Sequence, residues 1–355
     1  MNRADRISVR LAADELDALL VTDMLNVRYV TGFTGSSGLA VVGPDVRRFV
    51  TDFRYVEQAK AEVEGFDRER AAQQLQDVLK SGWRDGPVRL GFDDAAVSVQ
   101  AHAKLREALP SNVELVPAAG VVEAERAIKE PGEVETLQAA AALVDDIYAW
   151  VLESGLVGRA ERDVAVAIEH EMRLRGASGP SFPSIVASGV HGALPHAQPR
   201  DVEIPPDTLV TIDIGARLDG YCSDCTRTFS TGTPPDDLLE AYALVLRAQQ
   251  TALDGVKPGL EGREADALAR DLIEAAGHGD HFGHSLGHGV GLQPHEAPRL
   301  ARTAQGRLAA GHAVTVEPGV YLPGRGGVRI EDLVVVTEDG HDVLSLTAKA
   351  LTSVG

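Results

Sequence analysis

VTIDIGARLDGYCSDCTRTFS, residues 210–230, decides how the last third of the chain is read. An apolar run before Asp213, the turn chemistry of Leu218-Asp219-Gly220 and a Thr/Phe-rich run afterwards predict a β-hairpin. With the turn centred between Leu218 and Asp219, Asp213 and Asp224 become directly opposed cross-strand neighbours, Cβ atoms roughly 4.5–5.5 Å apart. Two like charges held so close destabilise a sheet unless a cation lies between them. VTVEPGVYLPGRGGVRIEDLVVVT, residues 314–337, repeats the device. A turn centred on Gly324 sets Glu317 against Glu331. The two hairpins also open alike, Val210-Thr211-Ile212-Asp213 and Val314-Thr315-Val316-Glu317, which hints at an internal two-fold repeat with one acidic pair from each half. Hard oxygen donors converging in this way, with an imidazole nearby, suit two divalent first-row ions, Mn, Co, Fe or Zn.

Between the hairpins lies GHGDHFGHSLGHGVGLQPHEAP, which carries His278, His281, His284, His288 and His295. His284 and His288 have helical spacing, but glycines 283, 287, 289 and 291 disfavour a helix. A Gly-rich run instead lets backbone approach a ligand closely while imidazoles reach in. Beside two acidic hairpins, at least one of these histidines is expected to be a ligand; spacing alone does not choose which.

The remaining composition sets bounds. With 355 residues there is length for two domains. Acidic side chains outnumber basic ones 53 to 34, a formal net charge of −19, which excludes nucleic acid or an anionic membrane as the main partner. No apolar stretch reaches the length of a membrane span. The charged N-terminus, MNRADRISVRLAADELD, does not read as a signal peptide, so the expected compartment is cytoplasmic. Cys222 and Cys225 flank Asp224; three apart on a strand, they point to opposite faces and read as small packed residues.

Residues 1–125 alternate apolar strands (18–22, 38–42, 47–51, 88–92, 113–116) with helical patterns (53–63, 73–81, 98–109), the pattern of an α/β domain. TGFTGSSG, residues 31–38, lacks the ending of a phosphate-binding loop and reads as a plain loop. A boundary falls near 117–130. Residues 126–355 read as α+β, with helices from Pro131 to about Glu153 and over 161–175, 237–253 and 263–276. A Pro/Gly-rich stretch with a short strand at 184–187 carries His191 and His196.

DIGARLDGYCSDCTRTF, HSLGHGVGLQPHEAP, VTVEPGVY and GVRIEDLVVVT, in this order over residues 125–355, resemble the pita-bread metallopeptidases: Xaa-Pro aminopeptidases, Xaa-Pro dipeptidases (prolidases) and methionine aminopeptidases. The resemblance implies a pita-bread catalytic domain behind an N-terminal α/β domain of the creatinase/prolidase type. It also implies a dinuclear centre, manganese first with cobalt or zinc as alternatives, held by Asp213, Asp224, His288, Glu317 and Glu331. By the same resemblance Glu317 shuttles the proton, His295 donates to the oxyanion and His196 contacts substrate near the reacting centre. His284 and Tyr321 match positions lining a proline pocket. Arg329 either orients the metal carboxylates or recognises substrate.

LLVTDMLNVRYVTGFTGSSGLAVV and TDFRYVEQA look more like the N-terminal domain of Xaa-Pro aminopeptidases than of prolidases. The expectation is therefore an aminopeptidase acting on peptides with proline second, a metal-activated water being the nucleophile. Prolidase is the alternative, and a methionine aminopeptidase or non-catalytic relative comes further behind. Creatinase shares the fold but works without metal, and the intact ligand set argues against it. An X–Pro bond has no N–H, so a pocket shaped for the ring succeeds where peptidases that bind that N–H fail. The resemblance further implies a homodimer in which the N-terminal domain serves dimerisation and substrate access, residues 31–38 lying near the partner's site.

Overall fold

The computed structural model describes residues 1–355, which divide into two compact units, Met1–Arg126 and Ala127–Gly355. The first is built on a six-stranded sheet in the spatial order Asp67–Arg70, Val46–Thr51, Gly38–Gly43, Ala18–Val21, Val88–Phe92, Val113–Pro117. Its middle strands pair antiparallel and both flanks pair parallel. Ala18–Val21 is buried along its whole length, as a central strand covered on both faces must be.

All five expected strands of this unit are present, and four further elements are not in the expectation, one of them the short helix Val121–Ala127 at its end. Asp67–Arg70 is a charged edge strand, DRER, with no apolar alternation to announce it. Arg3–Ala13 is a helix started by an Asn2/Asp5 capping box, with Ala4, Ile7, Ser8 and Leu11 turned inward from its charged face. Met24–Thr31 is helical despite its β-branched residues, because Asp23 caps its first turn and Gly32 closes it in the left-handed region. Residues 75–80 form a 3₁₀ segment where an α-helix was expected, and 53–63 begins with a 3₁₀ turn.

The second unit is α+β. Four helices, Pro131–Ser154, Glu161–Leu174, Asp236–Gly255 and Gly262–Ala275, surround the strands. The first hairpin belongs to a sheet ordered Cys225–Ser230, Leu209–Ile214, Ile185–Ser188. Its apolar face packs on the first two helices, where Ile147, Tyr148, Val164 and Ile168 meet Val210, Ile212 and Phe229. The second hairpin supplies Ala313–Val316 and Asp332–Val336 to a five-stranded sheet. That sheet packs on the other two helices, where Val245, Ala248 and Ala269 meet Val314, Val316 and Val334. Each acidic hairpin thus has its own helix pair.

The register of the first hairpin differs from expectation. Leu218 pairs with Tyr221 and Arg217 with Cys222, so the loop is only Asp219-Gly220. Both loop residues have positive φ, 45° and 80°, the two-residue turn that Asp-Gly favours because its twist matches the strands. Asp213 therefore faces Thr226, not Asp224. Carried on, the register sets Asp224 opposite Gly215, two residues along on the same face. The second hairpin has the expected register: Val316 pairs with Asp332 and Gly319 with Arg329, leaving Glu317 and Glu331 opposed in the gap between two ladders.

Candidate metal centre

Five side chains meet at the join of the two hairpins. Asp213, Asp224 and Glu331 each bring a carboxylate oxygen within 4.8 Å of the other two. His288 Nε2 lies 3.2 Å from Glu317 Oε1 and 3.8 Å from Asp224 Oδ2. Backbone stitches the join: Glu331 N–H donates to the Thr226 carbonyl and Glu317 N–H to Leu286.

Hydroxyls and one arginine aim the carboxylates. Thr226 Oγ1 donates to Glu331 Oε2 at 2.7 Å, and Thr315 Oγ1 donates to Glu317 Oε1 at 3.0 Å. Buried Arg329 donates to Asp213 Oδ2 at 2.7 Å, and also to Thr226 Oγ1, the Tyr321 hydroxyl and the Pro195 carbonyl. Of the two readings of Arg329, these contacts match orientation of the carboxylates, with four hydrogen bonds holding the guanidinium in place. His288 Nδ1 lies 3.0 Å from the Gly289 carbonyl and donates to it, which turns Nε2 toward the carboxylates, where it can bind a cation once its own proton leaves.

This donor set fits divalent cations. Asp213 Oδ1 is buried with no hydrogen-bond partner, an arrangement a cation would satisfy. Burial, and then the neighbouring carboxylates, push Asp224 and Glu331 well above the usual carboxylate range. Glu317 goes the other way. Burial opposes its charge, but the His288 hydrogen bond and the charges of His288, His284 and Arg329 hold it at about 2. Burial opposes the charge of His288 most strongly, but the Glu317 hydrogen bond and charge, the Gly289 carbonyl and the Asp213 charge together raise it. In the protein alone, His288 is the cation that Glu317 pairs with.

Around the centre, half-buried His284 and buried Tyr321 form one unit. Tyr321 OH is 2.8 Å from His284 Nε2, whose Nδ1 donates to the Ser285 carbonyl, so the hydroxyl donates to the ring while accepting from Arg329. Burial pushes Tyr321 up to about 12 and His284 down. His295 is exposed, its ring centroid 4.2 Å from that of His288. Burial of part of the ring and the charge of His288 lower it, which keeps it neutral at pH 7. His196 is exposed and close enough for its charge to depress both His284 and His295. Every site residue expected from the sequence is therefore at or beside this one centre. Cys222 and Cys225 are free and buried in different apolar clusters.

One neighbour escaped the sequence reading. Arg299 pairs with His288 across the strands Gly287–Gly289 and Glu296–Leu300, is exposed, and so shares the ligand's face of the sheet. Only the pairing of these strands, which their glycines obscure, could have found it.

Comparison with known proteins follows the same division. Residues 135–338 match the family model "Metallopeptidase family M24", and residues 3–128 match "Creatinase/Prolidase N-terminal domain". The chain is 45% identical to "Uncharacterized peptidase YqhT" of Bacillus subtilis over 95% of both chains. An Xaa-Pro dipeptidase structure from Bacillus anthracis superposes with a TM-score of 0.96 at 40% identity, covering 99% of each chain. An X-Pro aminopeptidase structure from Thermotoga maritima gives 0.91 at 32% identity, covering 99% of this chain and 100% of that one. No helix is long and apolar enough to cross a membrane.

Proposed function

The chain belongs to metallopeptidase family M24, with a pita-bread catalytic unit and a creatinase/prolidase-type N-terminal unit, and from that premise we propose that it is a proline-specific exopeptidase cleaving Xaa-Pro dipeptides. The observation that carries the reading is the convergence of Asp213, Asp224, His288, Glu317 and Glu331 within one partly buried centre. Those five residues would hold the family's two divalent ions, manganese being the first candidate. Once bound, the ions supply an activated water and polarise the scissile carbonyl.

The chain's own groups do the rest. Glu317, a carboxylate at neutral pH, takes the proton and hands it to the leaving proline nitrogen. Neutral His295 donates to the oxyanion that develops on the carbonyl, and His196 borders the reacting centre. His284 and Tyr321 form the wall for the pyrrolidine ring. Arg329 keeps Asp213 aimed.

The sequence motifs favour an aminopeptidase, but two observations support a dipeptidase. One is the similarity to the B. anthracis enzyme over the whole chain. The other is Arg299, whose guanidinium makes no hydrogen bond within the chain and stands on the His288 face, where a dipeptide's free carboxylate can meet it. Likeness to the T. maritima enzyme keeps the aminopeptidase as a second reading. Mass spectrometry of products from Xaa-Pro and Xaa-Pro-Xaa peptides, with Mn, Co and Zn supplied separately, tests both. The proposal expects the dipeptide to be cut faster, and Arg299→Ala to raise KM for it by about 10-fold, the value of one charge-assisted contact. Equal cleavage of the tripeptide, with Arg299→Ala silent, would transfer the assignment to the aminopeptidase. Cleavage of neither would remove proline specificity.

As part of the same reading the active form is a homodimer, residues 31–38 of one N-terminal unit bordering the partner's site. A chain that sediments as a monomer at micromolar concentration with full activity contradicts it.

A further inference from the structure

His196 is exposed and makes no hydrogen bond within the chain, so its position depends wholly on the backbone that carries it. Both ends of that backbone are tied by one buried carboxylate. Glu161 opens the helix Glu161–Leu174 and is 0% exposed. Its Oε1 accepts from Ser188 N at 2.9 Å, Ser188 Oγ at 2.8 Å and Arg200 Nη2 at 2.9 Å. Its Oε2 accepts from Arg200 N at 3.1 Å and Nε at 3.0 Å, and lies 3.0 Å from His191 Nδ1. The partners sit at the two ends of one segment, 188–191 and 200, with His196 between them. The middle of that segment is held from the other side, where Arg329 donates to the Pro195 carbonyl at 3.2 Å while also gripping Asp213.

We propose that Glu161 is a positioning residue for the reaction: it clamps both ends of the 188–200 segment and so presents His196 at a fixed place beside His284 and His295. The proposal rests on the reading that His196 contacts substrate. The plainer role would be a helix-start staple, since a carboxylate in the first turn of a helix is favoured for its own sake. The contacts exceed that need. A first-turn carboxylate satisfies the staple role with its own helix, whereas every partner named here lies outside it. The carboxylate also accepts two parallel bonds from a guanidinium fork, a pairing that adds geometric specificity as well as energy.

The test uses the full-length, metal-loaded enzyme. Glu161→Gln keeps the volume but turns one acceptor oxygen into an NH₂ that faces donors. Hydrogen–deuterium exchange is expected to rise about tenfold or more over residues 188–200 with little change elsewhere in the catalytic unit. Metal content should stay that of the parent. With an Xaa-Pro substrate, kcat should fall about tenfold with little change in KM, and in a His196→Ala background the same change should cost less than about twofold, because the two residues act as a unit. Unchanged exchange in 188–200, or equal losses with and without His196, would overturn the proposal. Arg200→Lys removes the fork but leaves the charge, so it decides the matter if Glu161→Gln fails to fold; it should show the same pattern at smaller amplitude. Should the protein cleave no proline peptide, the proposed function falls, and the exchange measurement still decides whether Glu161 holds the segment.

Discussion

The first hairpin reverses its chain in two residues, Asp219 and Gly220, both with positive φ, whereas the second turns over Pro323-Gly324-Arg325 with positive φ at Gly324 alone. The first sets its carboxylates on a diagonal, Asp213 opposite Thr226 and Asp224 two residues along, where Gly215 leaves the space. The second sets Glu317 and Glu331 face to face in a gap in the ladder at Pro318, a residue with no N–H to give. Both deliver two oxygens to one point. The difference teaches that a centre fed by hairpins depends on which face its carboxylates share; direct opposition is one way to share it and a diagonal is another. Each hairpin then borrows a threonine to aim an acid, Thr226 for Glu331 across the join and Thr315 for Glu317 within its own strand.

The largest expected effect breaks the two hairpins equally. Asp224→Asn from the first and Glu331→Gln from the second should each lower kcat/KM by more than about 10³-fold and cost the protein metal, because each removes an anionic donor from a shared centre. Elemental analysis and peptide hydrolysis check this, and loss in only one of the two would divide the centre. His295→Ala comes next: about 10²–10³-fold in kcat, the usual cost of an oxyanion donor, with metal retained. Loss of metal there would make His295 a ligand.

Gly215→Ala separates the diagonal from the opposed pair. A Cβ at 215 would lie 2.0 Å from the Ser223 carbonyl oxygen, next to Asp224, so the strand must shift. The expected cost is about 2–3 kcal/mol, read by urea denaturation, together with weakened metal binding. At the tip of the other hairpin, Gly324→Ala meets nothing within 4 Å but must hold φ at 74°, costing only about 1 kcal/mol with activity unchanged.

Metal removal exposes the charges themselves. Folding raises Asp224 and Glu331 above their unfolded values, so the folded chain keeps protons that the unfolded chain releases above about pH 4. The stability of chelator-treated protein should therefore fall as pH rises from 5 to 8. Glu317, depressed to about 2, contributes stability that is lost only as pH falls toward that value. A lower Tm at pH 8 than at pH 5, with the difference reduced in Glu331→Gln, is the expected result.

Much of this was legible in the sequence because it lies in strand period and turn chemistry. The apolar runs before Asp213 and Glu317 marked the strands, and glycines around His288 correctly argued against a helix. The register of the first hairpin was missed by placing the turn one residue early; the Asp-Gly pair, which takes positive φ at both positions, is the signal that corrects it. The charged strand Asp67–Arg70 and the short helix Met24–Thr31 were hidden because tertiary packing and caps, not propensity, hold them. The places of Arg299 and Glu161 are set by strand pairing and burial, which spacing in the sequence does not reveal.

Metal stoichiometry by elemental mass spectrometry, measured on the dialysed wild-type protein beside Glu331→Gln, tests most directly whether both hairpins serve one dinuclear centre. The account predicts about two divalent ions per wild-type chain and fewer than one in the variant. Wild-type protein that binds none, or a variant that keeps both, would contradict it.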